Sequence, residues 1–251
     1  MTLAPNLTEI VFALGAEDRL LAVSDFSDYP PAARGLPRVG GLDASPERIV
    51  ALHPDLVLAS RDGNARGPVQ ALQAAGIAVL TVSGGSLDEV LDGIRSVGKR
   101  LGREAEANQL ADRLSRRREQ VRRAVAGQHR PNALMLVWPD PPQAAGGGTF
   151  LSDVLQEAGA TNLLAERRGW PVLSPEFLAS APIDVLVLPE SPETQDIYQR
   201  ARASGALSRG AAARARIIGL PEAALTRPGP RVFDVLEELA RALHPSARGM
   251  P

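Results

Sequence analysis

Apolar residues along this chain follow two rhythms. Short unbroken runs, as at residues 56–59, 77–80 and 185–188, alternate with longer stretches of 3.6-residue period. Unbroken Leu/Val runs suit parallel strands covered on both faces, and periodic stretches suit the helices that cover them. The first half reads as strand 2–4, helix 7–14 and strand 21–24, then a Pro- and Gly-rich loop over 25–44. A short helix opening at Ser45, strand 56–59, helix 69–75 stopped by Gly76, and strand 77–82 follow. From 87 to 126 there is no proline and the period is helical, with a break near Gly102. Within it, residues 104–126 set Leu110, Leu114, Val121 and Val125 on one stripe, and a helix of that length spans roughly 34 Å. The second half reads as strand 133–138, loop 139–148, helices opening near Leu151 and Ser174, and strand 185–188. A helical stretch to Leu207, strand 216–220 and helix 232–243 complete it.

The halves share words as well as rhythm. Ser45-Pro46-Glu47 leads into a helix and then Pro54-Asp55-Leu56-Val57-Leu58; Ser174-Pro175-Glu176 leads into a helix and then Ile183-Asp184-Val185-Leu186-Val187-Leu188. Serine caps a free backbone N–H, proline suits the first helical position, and glutamate suits the positive end of the helix dipole. Each copy is preceded by an amphipathic helix stopped at Gly15-Ala16 or Gly159-Ala160. The expected fold is α/β, with two similar lobes, 1–100 and 129–251, each a mostly parallel sheet flanked by helices. One long rigid helix over 101–128 joins them. Loops that follow strands are expected to face a ligand cleft between the lobes.

With 251 residues and 44% apolar content, two lobes can each bury a core. A net charge of −1 argues against a dedicated nucleic-acid binder. The arginines at 113, 116, 117, 118, 122 and 123 read as a solvated helix face with partners such as Asp112 to Arg116. The absence of cysteine removes disulfides, thiolate metal sites and Cys nucleophiles. No apolar run approaches the length of a membrane span. An enzyme is not expected, and no catalytic or metal-ligating residue is assigned. There is no Gly-x-Ser-x-Gly elbow, Gly146-Gly147-Gly148 lacks a following lysine, and no His/carboxylate cluster stands out.

The order and spacing of several segments resemble the periplasmic substrate-binding proteins of ABC importers, in the class whose lobes are joined by one long helix. These segments are Ala4-Pro5-Asn6-Leu7-Thr8-Glu9, Ser24-Asp25-Phe26-Ser27-Asp28-Tyr29-Pro30, Glu47-Arg48-Ile49-Val50-Ala51-Leu52, Arg61-Asp62-Gly63-Asn64 and Gly147-Gly148-Thr149-Phe150-Leu151. Through Ser27–Pro30, 61–64 and Trp170-Pro171 the chain is most similar to the cobalamin-binding members. The resemblance implies an exported, extracytoplasmic monomer that delivers cobalamin to a permease, its export signal being absent from this chain through truncation. A ferric siderophore or haem is the alternative ligand, and no cofactor is implied.

Within the family, glutamates at the positions of Glu47 and Glu176 pair with permease arginines; two fixed carboxylates can read the spacing of two basic pockets. Tyr29 and Trp170, aromatics set in loops of a chain that is only 4% aromatic, are expected to grip a large flat ligand. Arg61 and Arg227 are expected at polar ligand edges. Gln143 stands where relatives often present an aromatic, and Leu42 sits in a Gly40-Gly41-Leu42-Asp43 loop that replaces a longer one. Both count as ligand contacts. His53 and His244 precede prolines at helix ends and His129 lies in a linker, which leaves Tyr29 as the axial group a haem would use.

Overall fold

The computed structural model describes residues 1–41, 44–203, 205 and 207–247, and the chain divides into two compact units. One comprises Met1–Ser115 with Pro228–Pro230; the other comprises Arg116–Arg227 and the chain from Arg231 onward.

In the first unit, α1 (Pro5–Ala13) opens on proline, and Leu7, Ile10 and Val11 bury one face. It is followed by α2 (Pro46–Val50), β1 (Val57–Ser60), α3 (Arg66–Ala74), β2 (Val79–Val82), α4 (Leu87–Arg100) and α5 (Glu104–Ala124). β1 and β2 pair in parallel. The strands expected at 2–4 and 21–24 are reduced to single parallel bridges: Thr2 with Leu58 and Val23, and Val23 with Arg38. The cause is local. Pro5 already belongs to α1, and the Ser24–Ser27 turn ends the second run, so neither ladder can lengthen. The bridges still continue the parallel order from β2 through β1, residue 2 and residue 23 to residue 38. Leu3, Ala22, Val39, Ile49, Val57, Ala59 and Leu72 form the core beneath it.

The division between units falls inside α5. Its expected stripe of Leu110, Leu114, Val121 and Val125 is buried. Its arginines are only partly a solvated face. Arg117 pairs with Asp234 and Glu237, and Arg118 with Glu157. Asp112 pairs with Arg95 of α4 rather than with Arg116 one turn on, because α4 packs alongside. Gly98 lets that turn close: a Cβ there would stand 2.2 Å from the Ala107 Cβ.

The second unit is built on β3 (Asn132–Pro139), β4 (Pro142–Ala144), α6 (Phe150–Glu157), β5 (Thr161–Asn162), α7 (Pro175–Ser180) and β6 (Val185–Glu190). α8 (Pro192–Ala203), α9 (Gly210–Arg214), β7 (Arg216–Pro221), α10 (Glu222–Leu225) and α11 (Val232–Leu243) complete it. The sheet order is β4-β3-β6-β7, with β5 also on β3; every pair is parallel except β3–β4. The expected 139–148 loop therefore contains a strand, β4, which turns back on β3 as a hairpin.

Candidate functional site

The repeated Ser-Pro-Glu words become equivalent helix starts. The Ser45 Oγ accepts the Arg48 amide at 3.4 Å and the Ser174 Oγ accepts the Phe177 amide at 3.2 Å, so each caps its helix as its sequence requires. Glu47 and Glu176 are both exposed in the first turn. Both carboxyls are held below the usual glutamate range. For Glu47 the Ser45 hydroxyl is the main cause and its own amide the second; for Glu176 its own amide leads and Ser174 follows. Two ionised carboxylates, one per unit, are thus presented to solvent in matching local frames.

Tyr29 lies in the loop that leaves the Val23 bridge, 43% exposed. The loop under it is tightly organised. A run of hydroxyl pairs links Ser24 to Ser27, Ser27 to Thr8 and Thr8 to Thr2, at 2.7–2.8 Å, all buried. Arg38 closes it from the side, donating to the carbonyls of Ser24 (2.8 Å), Ser27 (2.6 Å), Ala33 (3.3 Å) and Arg34 (3.4 Å). The Arg38 carbonyl in turn accepts Arg48 of α2 at 3.2 Å. Sequence reading missed Arg38; an arginine after a proline in a loop gives no sign of what it clasps.

Arg61 follows the last residue of β1 and is exposed. Asn64 fixes its loop, accepting the Ser60 amide at 2.8 Å and donating to the Leu3 carbonyl at 2.9 Å. Asp62 accepts the Gly84 amide at 3.2 Å, from the turn after β2. Gly84 packs so closely on Pro228 that a Cβ would stand 2.7 Å from the proline ring, and Asn6 donates to the Pro228 carbonyl at 3.1 Å. The structure therefore brings the Arg61 loop beside the segment that follows Arg227, itself half-buried. Leu42 lies outside the described residues.

On the second unit, Gln143 sits in β4, opposite Trp138 of β3 and bridged on its other side to Val172. Trp170 is 44% exposed and meets the buried Phe150 edge to face, ring centroids 6.3 Å apart. Its position depends on two glycines. Gly146 donates to the Gly169 carbonyl and Gly147 to the Arg167 carbonyl, both at 2.8 Å. A Cβ at Gly146 or Gly147 would stand 2.0 Å from the carbonyl oxygen of Arg167 or Ala165. The Gly-rich loop is a seat for the Trp170 segment. Trp138, at the end of the expected strand 133–138, is 45% exposed, and Val172 is 53% exposed.

Tyr29, Arg61 and the β3–β4 hairpin all lie beyond the C-terminal ends of parallel strands, where open α/β sheets present ligand sites. A cavity of about 440 Å³ beside α8, lined by Leu188, Tyr198 and Ile217, contains none of these residues. Of the histidines, His53 is exposed with φ 47°, His129 is exposed and His244 is buried. Among the described residues no helix is long and apolar enough to cross a membrane.

Comparison with known proteins gives a consistent set. Residues 1–224 match the family described as periplasmic binding protein. A vitamin B12-binding protein of Salmonella paratyphi A (strain ATCC 9150 / SARB42) is 31% identical over 248 residues, covering 97% of this chain and 89% of the relative. An uncharacterized ABC transporter substrate-binding lipoprotein of Bacillus subtilis (strain 168) is 28% identical over 252 residues, covering 98% of this chain and 79% of the relative. Among solved structures, the periplasmic heme-binding protein from Roseiflexus sp. RS-1, in apo form, aligns with a TM-score of 0.86 and 28% identity over 98% of each chain.

Proposed function

We propose that this chain, which belongs to the periplasmic binding protein family, captures cobalamin or a related corrinoid outside the cytoplasm and delivers it to an ABC importer permease. Members of this kind carry a ligand and release it unchanged, so the chain is a transport component and not an enzyme. The observation that carries the corrinoid reading is the 31% identity to a vitamin B12-binding protein along almost the whole of both chains. The chemistry on the surface agrees with it. Tyr29 and Trp170 expose aromatic area suited to a large ligand with apolar faces, and Gln143 offers an amide to an amide-bearing rim. Arg61 and Arg227 supply cationic groups for polar edges.

In this reading the protein acts as a monomer, and Glu47 and Glu176 dock on basic groups of the permease. Their depressed pKa values keep both carboxylates ionised, which favours steering and orientation more than raw affinity. Haem is the second reading. It is favoured by the likeness to a heme-binding protein and by the half-exposed Tyr29, a residue type whose phenol can take an axial position on ferric iron. Calorimetry with cyanocobalamin and absorbance titration with hemin separate the two. One-to-one cobalamin binding, weakened by Trp170→Ala, supports the first reading. A Soret shift abolished by Tyr29→Phe supports the second.

A further inference from the structure

The β3–β4 hairpin contains an irregularity that bears on the ligand surface. Leu136 pairs with Ala144, and both are fully buried; the next pair is Trp138 with Gln143, so two steps on β3 match one on β4. Side chains alternate faces along a strand, and without this bulge Trp138 would share the core face of Leu136. The bulge at Val137 turns it over. Trp138 then stands on the solvent face, directly opposite Gln143, whose other neighbour is Val172.

Residues paired across adjacent strands point to the same side, so indole, amide and isopropyl form one row. Trp170 and Val172 are two residues apart on an extended segment, with Leu173 buried on the reverse, which adds a second indole to the same side. Trp138, Trp170 and Val172 account for three of the seven large apolar side chains exposed among the described residues. The Trp138 Nε1 donates to the Asp140 carbonyl at 2.8 Å, which fixes the ring and satisfies its polar edge while leaving apolar ring surface open. Nearly half of the indole is left in solvent, and clustered exposed apolar surface marks a binding surface.

We infer that Trp138 is a ligand-contact residue that sets specificity, forming with Gln143, Val172 and Trp170 a shelf for a macrocycle with an apolar face and an amide- or carboxyl-bearing rim. The inference rests on the ligand-carrying function proposed above. The indole on β3 supplies the aromatic surface that the polar Gln143 does not, from the opposite strand of the same hairpin.

Affinities for cyanocobalamin and for hemin, measured on the whole chain and on Trp138→Ala, Trp170→Ala and Trp138→Ala/Gln143→Phe, test this. Loss of one stacked indole should weaken binding about tenfold, and phenylalanine on the facing strand should restore most of it. Because Trp138 is exposed, its thermal midpoint should stay within a degree or two of the parent, which separates contact loss from unfolding. If Trp170→Ala weakens binding and Trp138→Ala does not, the inference fails while the ligand site stands. If the parent chain binds neither probe, the ligand reading and the inference fall together.

Discussion

Arg38→Met should loosen the Tyr29 loop without unfolding the unit that carries it. The guanidinium donates to two carbonyls at 2.8 and 2.6 Å, those of Ser24 and Ser27, residues only 1% and 0% exposed. A hydrogen bond to a charged group contributes about 1.5–3 kcal/mol, and a buried acceptor left alone costs about 1–3 kcal/mol. Arg38 is itself half-exposed and its contacts to Ala33 and Arg34 are long, so the low end applies and the loop should lose about 2 kcal/mol against local opening. That corresponds to an exchange rate about 30-fold faster. Native-state hydrogen exchange reads it directly, at the amides of Ser27, Ala33 and Leu36, which close the loop's own turns. The amide of Val57, bonded to the Ala78 carbonyl in the sheet, is the control and should keep its parent rate. A global denaturation midpoint would not report on opening confined to this loop. If the three loop amides keep parent rates in Arg38→Met, the clasp is not what orders the loop. Arg38→Lys should fall between, since one ammonium cannot span four carbonyls.

Other outcomes follow from the same distances. Glu237→Ala leaves the Arg117 guanidinium, 29% exposed, with Asp234 alone, and should cost the second unit about 2–3 kcal/mol in urea unfolding. Ser45→Ala should raise the Glu47 pKa toward the usual 4.5, and Ser174→Ala should move Glu176 less, because its own amide is the larger cause; carboxyl NMR titration measures both. His244 is buried, and desolvation lowers its pKa below 6.5, so folding favours the neutral ring. Its contribution is complete above pH 6.5 and is lost as pH falls through the lower folded value. His244→Asn should flatten the stability profile over that acid range, and an unchanged slope would exclude the histidine as its source.

The features legible in the chain are those whose causes lie within a few residues. The Ser-Pro-Glu caps, the Gly15 and Gly159 stops, the strands Val57–Ser60, Val79–Val82 and Val185–Glu190 and the buried stripe from Leu110 to Val125 recur in the structure within two residues of the expected places. The same local physics put both glutamates in first turns and left Tyr29 and Trp170 exposed in loops. What tertiary structure alone decided involves partners far apart in sequence. Asp112 chose Arg95 over Arg116, since α4 lies alongside α5, and Arg117 found its carboxylates 117 and 120 positions away. Gly146 and Gly147 owe their identity to a backbone some 20 residues on that passes too close for any Cβ. Trp138 shows the limit most sharply. The strand that carries it is legible in the sequence but its direction is not: a one-residue slip against β4 turns it to solvent, because strand side chains have only two directions and pairing chooses between them.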